Sequence, residues 1–222
     1  MYDAINRGLA RTTGDICAWL NCDEQYLEGT LPFVAGYFQG HPATDVLLGD
    51  AVLTDADLQP VCYRRIMVPS RWHTRLDHLH SLSCAMFFRR FALPAPPLDP
   101  RWKVISDAVL MDHFLSTRKR IVACRRLLSA YAFTGKNLSA DTTNGEHARW
   151  HRECGWPPAC LRALAVGFHR LRRLLHGAYG NFDVAPALFT RGERVNRQMR
   201  RGTLPGRWPG AKLADGALAR PG

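Results

Sequence analysis

Tyr2, Ile5 and Leu9 recur at helical spacing and Gly14 closes a turn, so the chain opens on a predicted helix. Residues 15–20 (DICAWL) follow as an apolar run of strand length, and Asn21, Cys22, Asp23 and Glu24 come directly after it. Helical spacing returns over residues 30–39, with Thr30 a candidate N-cap and Pro32 in the first turn. Residues 45–53 (DVLLGDAVL) are strand-like and end in the turn cluster Thr54-Asp55-Ala56-Asp57; residues 61–68 are placed to pair with them as a hairpin. Residues 83–88 form a further strand candidate, and residues 93–100, with four prolines, must be a loop. A helix over 104–115 and strands over 121–124 and 127–133 come next. Helical spacing marks residues 147–153 and 160–176, little periodicity follows Gly180, and a Gly-, Pro- and Ala-rich end reads as disordered. Strands alternating with helices define an α/β fold.

Composition narrows the function classes. A chain of 222 residues suits one domain with a tail. No apolar run approaches the ~20 residues of a membrane-spanning helix. Asp3 and Asn6 stand where the apolar core of a signal peptide would begin. Seven scattered cysteines read as reduced thiols of a cytosolic protein. The net charge of +11 is lopsided: residues 1–115 carry 10 Lys/Arg against 13 Asp/Glu, and residues 116–222 carry 20 against 6. Such a basic half suits nucleic acid, anionic lipid or a polyphosphate, and equally a solvated Arg-rich tail. No nucleic-acid motif or stacking platform is present, so no specific nucleic-acid partner is expected. The 160–176 helix sets Leu161, Leu164, Phe168, Leu171 and Leu175 on one face and Arg162, Arg170, Arg172 and Arg173 largely on the other, a pattern that suits a membrane surface.

Several residues are candidates for chemistry. In open α/β sheets ligands bind beyond the carboxyl ends of strands. Asp23 stands at such an end, where a carboxylate holds a hard cation and, through it, a diphosphate, or else caps a turn. Asp107 opens a helix as a general base or as its cap. Asp50 faces a site or sits in a turn, with the turn favoured. Arg89 and Arg90 reach a phosphate or line a solvated edge. His73, His78 and His80 lie near Asp77, but their spacing matches no standard ligand set and they read as exposed loop histidines. His147 and His151, four apart on a helix, with Cys154 and Cys160, form an alternative zinc set beside Glu146.

The segment Tyr2-Asp3-Ala4-Ile5-Asn6-Arg7-Gly8, followed by a turn, a strand and Asn21-Cys22-Asp23-Glu24, resembles the core of the family 2 glycosyltransferases, which have the GT-A fold. Weaker matches follow in order to about residue 141: Tyr37-Phe38, Val46-Leu47-Leu48-Gly49-Asp50, the CAMFFRR run at 84–90, Asp107, and the TGKNLS run at 134–139. The resemblance implies an α/β, GT-A-like mixed sheet flanked by helices over residues 1–140, incomplete at its N-terminus by two or three nucleotide-binding strands. A basic helical extension at 141–180 and a largely irregular basic tail at 181–222 would follow. It implies a metal-assisted, inverting sugar transfer from a nucleotide-sugar donor to a glycan or lipid-linked acceptor. Asp23 would bind Mn²⁺ or Mg²⁺ on the donor diphosphate, Asn6 and Asn21 would contact the donor, and Asp107 would act as base. Val109 stands where the family often has a second acidic residue, and Glu24 where it often has Asp. The location implied is the cytoplasm, peripheral at the inner face of the membrane. The alternatives are a catalytically inactive remnant, a partner-binding module, or a basic module for membrane surfaces.

Overall fold

The structure, a computed structural model, describes residues 1–134, 137, 145–155, 159–180, 183–190 and 193–196. Its elements in chain order are α1 (Tyr2–Arg11), β1 (Ile16–Cys17), β2 (Glu24–Tyr26), α2 (Thr30–Gly40), β3 (Val46–Thr54), β4 (Pro60–Arg64), α3 (Arg71–Leu76), β5 (Met86–Arg89), α4 (Ser106–Ser116), β6 (Ile121–Ala132), α5 (Glu146–Glu153), α6 (Ala159–Leu175), β7 (Ala187–Thr190) and β8 (Glu193–Asn196). The expected mixed α/β architecture forms. The main sheet runs β1-β5-β3-β6-β2, with β4 beside β3.

β3 is the axis, and every residue of it is buried. It pairs in parallel with β6 along its length. On its other edge the first half pairs with β5 and the second half with β4, both antiparallel. A strand covered on both faces is mostly apolar, which is why residues 46–53 read as a near-continuous run rather than an alternation, broken by Asp50. Val46 and Leu48 pack with Tyr2 and Leu9 of α1 and with Leu110, Met111 and Phe114 of α4. Leu47, with the opposite pleat, packs with Val34 and Phe38 of α2. The sheet is thus the middle layer of three.

The two strands expected at 121–124 and 127–133 are one strand with a bulge. Leu48 pairs with Ala123, but Asp50 pairs with Leu127, so β6 carries extra residues there. The bulge turns Arg125 and Arg126 out to solvent, and this polar pair is what interrupts the sequence pattern. Gly49 faces the bulge: a Cβ on it would lie 2.5 Å from Leu128 Cγ, so only glycine lets the strands approach there.

Other corrections are local. β1 shrinks to two residues, because the chain beyond Cys17 leaves the sheet to form the cavity rim. The N-cap of α2 is Gly29, in the left-handed region at φ 75°, while the Thr30 hydroxyl donates to Leu128 O at 2.6 Å. The hairpin of β7 and β8 lies where no periodicity is visible, and four-residue strands are too short to show one. Much of the TGKNLS run and the end of the chain lie outside the described residues.

Candidate active site

The turn after β1 carries Asn21 and Asp23, and β2 then pairs with β6, setting Glu24 opposite Tyr131. Ala132 N donates to Asp23 O at 2.8 Å, which holds Asp23 at the carboxyl end of β6. Asn137 completes the arrangement. Its Nδ2 donates to Asp23 Oδ2 at 2.5 Å and to Ala132 O at 2.8 Å, while its Oδ1 accepts from Thr134 N at 2.8 Å. Glu24 accepts from Asn21 N at 2.6 Å and from the Ser83 hydroxyl at 3.2 Å. Burial pushes the Glu24 carboxyl up, against the Asn21 hydrogen bond and with the Asp23 charge adding to the rise.

Asp107 arrives from the first turn of α4. Burial pushes its carboxyl up to about 6, against a hydrogen bond from its neighbour Ala108 N at 2.9 Å. Tyr2, at the head of α1, donates its hydroxyl to Val104 O at 2.7 Å, and the same oxygen lies 3.3 Å from Asp107 Oδ1. Asn21, Asp23, Glu24, Asn137, Tyr2 and Asp107 all line one cavity of about 730 Å³. That volume is in the range of a small-molecule site.

The facing wall is basic. Arg64, on β4, is buried and stands 2.5 Å from His80 Nδ1 through Nη2. Burial, then the charge of Arg173, pulls the Arg64 guanidinium down to about 9. His78 and His147 also reach the cavity. Behind them His73 and His80 are buried, together with His169 of α6; this corrects the expectation of exposed histidines for His73 and His80, while His78 is exposed. Sequence reading missed this because α6, distant along the chain, is what covers them: His169 stacks on His73 with ring centres 3.6 Å apart.

Asn6 does not reach the cavity. Its side-chain amide donates to Leu98 O at 2.6 Å and accepts from Leu98 N at 2.9 Å, so it tethers the proline-rich loop to α1. Arg89 donates to Thr44 O and Phe38 O, and Arg90 to Gly14 O and the Thr12 hydroxyl; both tie backbone segments together. Asp50 lies inside β3 rather than in a turn. It is buried, accepts from Ile66 N at 2.7 Å, and burial pushes it up to about 6. Asp112 takes Arg71 and Arg75 of α3, fastening that helix to α4.

The His147, His151, Cys154 and Cys160 set is not gathered, and Glu146 spends its carboxylate on Lys103 N and Val104 N. Among the described residues one trio of His, Cys, Asp or Glu lies within metal reach: His73, Asp77 and His78. A hard cation in the cavity would meet Asp23 more readily than Glu24, since both Glu24 oxygens accept hydrogen bonds and burial favours the neutral form of Glu24, while Asn137 donates to Asp23 Oδ2. A single carboxylate fits magnesium-type ions, which take one or two from the protein and the rest from phosphates and water.

All seven cysteines are free thiols. Among the described residues no helix is long and apolar enough to cross a membrane. The apolar row of α6 is on the outside: Leu161, Leu164, Phe168, Leu171, Leu174 and Leu175 are exposed, and His169 and Arg173 face inward.

No protein-family model matches this chain, and no curated protein matches it. Among solved structures it is similar to the crystal structure of S. aureus TarS 1-349, at 17% identity and a TM-score of 0.41. That match covers 58% of this chain, which spans 39% of the length of the other. A likeness of that degree assigns no activity.

Proposed function

We propose that the chain is a glycosyltransferase of the nucleotide-sugar type, with the cavity as its donor and acceptor site. The observation that carries this reading is the convergence of Asn21, Asp23 and Asp107, singled out by their places in the family 2 pattern, on one cavity of suitable volume. A Mn²⁺ or Mg²⁺ ion held by Asp23 and the donor phosphates would neutralise charge on the leaving diphosphate. Asn137 orients the Asp23 carboxylate toward that task. Asp107 accepts the proton of the attacking acceptor hydroxyl. Its titration near 6 leaves it mostly ionised at neutral pH yet basic enough to take a proton. One base and one displacement give inversion at the sugar carbon.

Donor hydrolysis and transfer, assayed with UDP- and GDP-sugars and divalent metal, test the reading. Asp23→Ala is expected to abolish metal-dependent donor binding. Activity of the wild type should rise with pH through about 6 as Asp107 ionises. Absence of any nucleotide-sugar binding would sink the proposal and favour a catalytically inactive, partner-binding module.

The exposed apolar row of α6, beside Arg162 and Arg170, favours a second reading that coexists with the first: attachment to an anionic membrane, where lipid-linked acceptors reside. Sedimentation with phosphatidylserine vesicles tests it. Leu164→Glu with Phe168→Glu should release the protein, and unchanged sedimentation would reject that role for α6.

A further inference from the structure

We propose that His73, Asp77 and His78 form a binding site for a zinc-class divalent metal ion at the edge of the cavity, separate from Asp23. His73 and Asp77 stand four residues apart at the end of α3, on one face, and His78 follows at once. Their ligand atoms all lie within 4.8 Å of one another. His73 Nε2 is 3.4 Å from Asp77 Oδ2, and His78 Nδ1 is 2.7 Å from the same oxygen. Ligands of a tetrahedral zinc ion stand ~3.3 Å apart, given bonds near 2.0–2.1 Å. The first pair already has that spacing. The second needs a few tenths of an ångström, available to His78 because it is exposed at the cavity wall.

A second observation points the same way. His169 is 3% exposed and stacked on His73, yet neither of its ring nitrogens has a hydrogen-bond partner among the described residues. His80 Nε2, also buried, is in the same condition. Buried polar groups are normally satisfied, so an imidazole with both nitrogens unpaired, stacked on one of the three candidate ligands, points to an ion or its bound water. Arg162 lies 3.1 Å from the other oxygen of Asp77, Oδ1, so that Oδ2 is the oxygen turned toward the two imidazoles.

Two imidazole nitrogens and one carboxylate oxygen suit zinc, cobalt or nickel better than magnesium or calcium, which prefer oxygen throughout. Three protein ligands leave the fourth position to water or to a molecule in the cavity that His78 lines.

Calorimetric titration of the chelator-treated full chain with Zn²⁺, and absorption spectra with Co²⁺, test the site. One ion per chain is expected, with cobalt bands of nitrogen and oxygen ligation. His78→Ala, at an exposed position, should weaken binding more than ~100-fold, and His169→Phe, which keeps a stacking ring, ~10–100-fold. Asp23→Ala should leave zinc affinity unchanged. No stoichiometric binding, binding unaffected by His78→Ala, loss in Asp23→Ala, or a cobalt–thiolate charge-transfer band would each overturn the proposal.

Discussion

On one wall of the cavity, burial pushes two carboxyls up, Asp107 to about 6 and Glu24 in the same direction. On the basic wall and in the buried histidine cluster behind it, burial pulls bases down, Arg64 to about 9, His169 to about 3, and His73 and His80 below their usual range. The cause is shared, since a low-dielectric surrounding disfavours whichever form carries charge. The consequences for pH are opposite. In the unfolded chain an aspartate titrates near 3.9 and a histidine near 6.5. Between about pH 4 and 6 the folded chain binds more protons at Asp107 than the unfolded one, so this wall's contribution is present at low pH and lost as pH rises through 6. Below about 6.5 the unfolded chain binds more protons at the histidines, so that wall's contribution is present at neutral pH and lost as pH falls toward 3. One cause, burial, thus moves acids and bases in opposite directions within one region of the fold.

The largest effect should come from Asp107→Asn. Under the proposed mechanism it lowers transfer ~10²–10⁴-fold. It should also raise stability at pH 7 by ~1–2 kcal/mol, because a partly buried charge is removed. Transfer kinetics and urea unfolding measure the two quantities, and a fall in both would break the opposition between walls. Next is His80→Ala, which takes the imidazole from Arg64 and leaves a cavity in a buried site. Destabilisation of ~2–3 kcal/mol is expected, read from the urea midpoint at pH 7.

Smaller, and more diagnostic, is the dependence of melting temperature on pH. His169→Phe should flatten the loss of stability between about pH 6.5 and 3, whereas Asp107→Asn should steepen it between about 6 and 4, where the carboxyl normally offsets the histidines. Equal slopes in all three proteins would show that the walls do not titrate as described. The smallest change is Tyr2→Phe, ~1 kcal/mol of stability. Since the Tyr2 hydrogen bond lowers the Asp107 carboxyl, its loss should move the midpoint of the pH–rate profile upward. An unmoved midpoint would leave Tyr2 as a packing residue alone.

Much of the sheet was legible in the chain, and the reason differs by element. β3 shows as an apolar run because both its faces are covered, and α1 shows by its 3.6-residue period because one face is. Asp23 and Asp107 were legible as candidates because strand ends and helix starts are marked locally, by loss of apolar character and by capping residues. The bulge in β6 was visible only as a false break at Arg125-Arg126, since register belongs to the partner strand and not to the strand itself. Asn6, promising by its place in a motif, is taken up by Leu98, a contact that only the proline-rich loop supplies.

The sequence by itself determined the order and type of the main elements, and which carboxylates stand at their ends. These follow from short-range periodicity and turn chemistry, written in neighbouring residues. Tertiary structure alone decided that Asp107 and Asp23 line one cavity, that Asn137 holds Asp23, and that His169 of α6 stacks on His73 beside Asp77. It also decided that α6 turns its histidine and an arginine inward and its leucines out. The reason is physical: burial and mutual distance, which set pKa and ligand geometry, depend on segments far apart in the chain, and no local pattern encodes which of them will close over a given side chain.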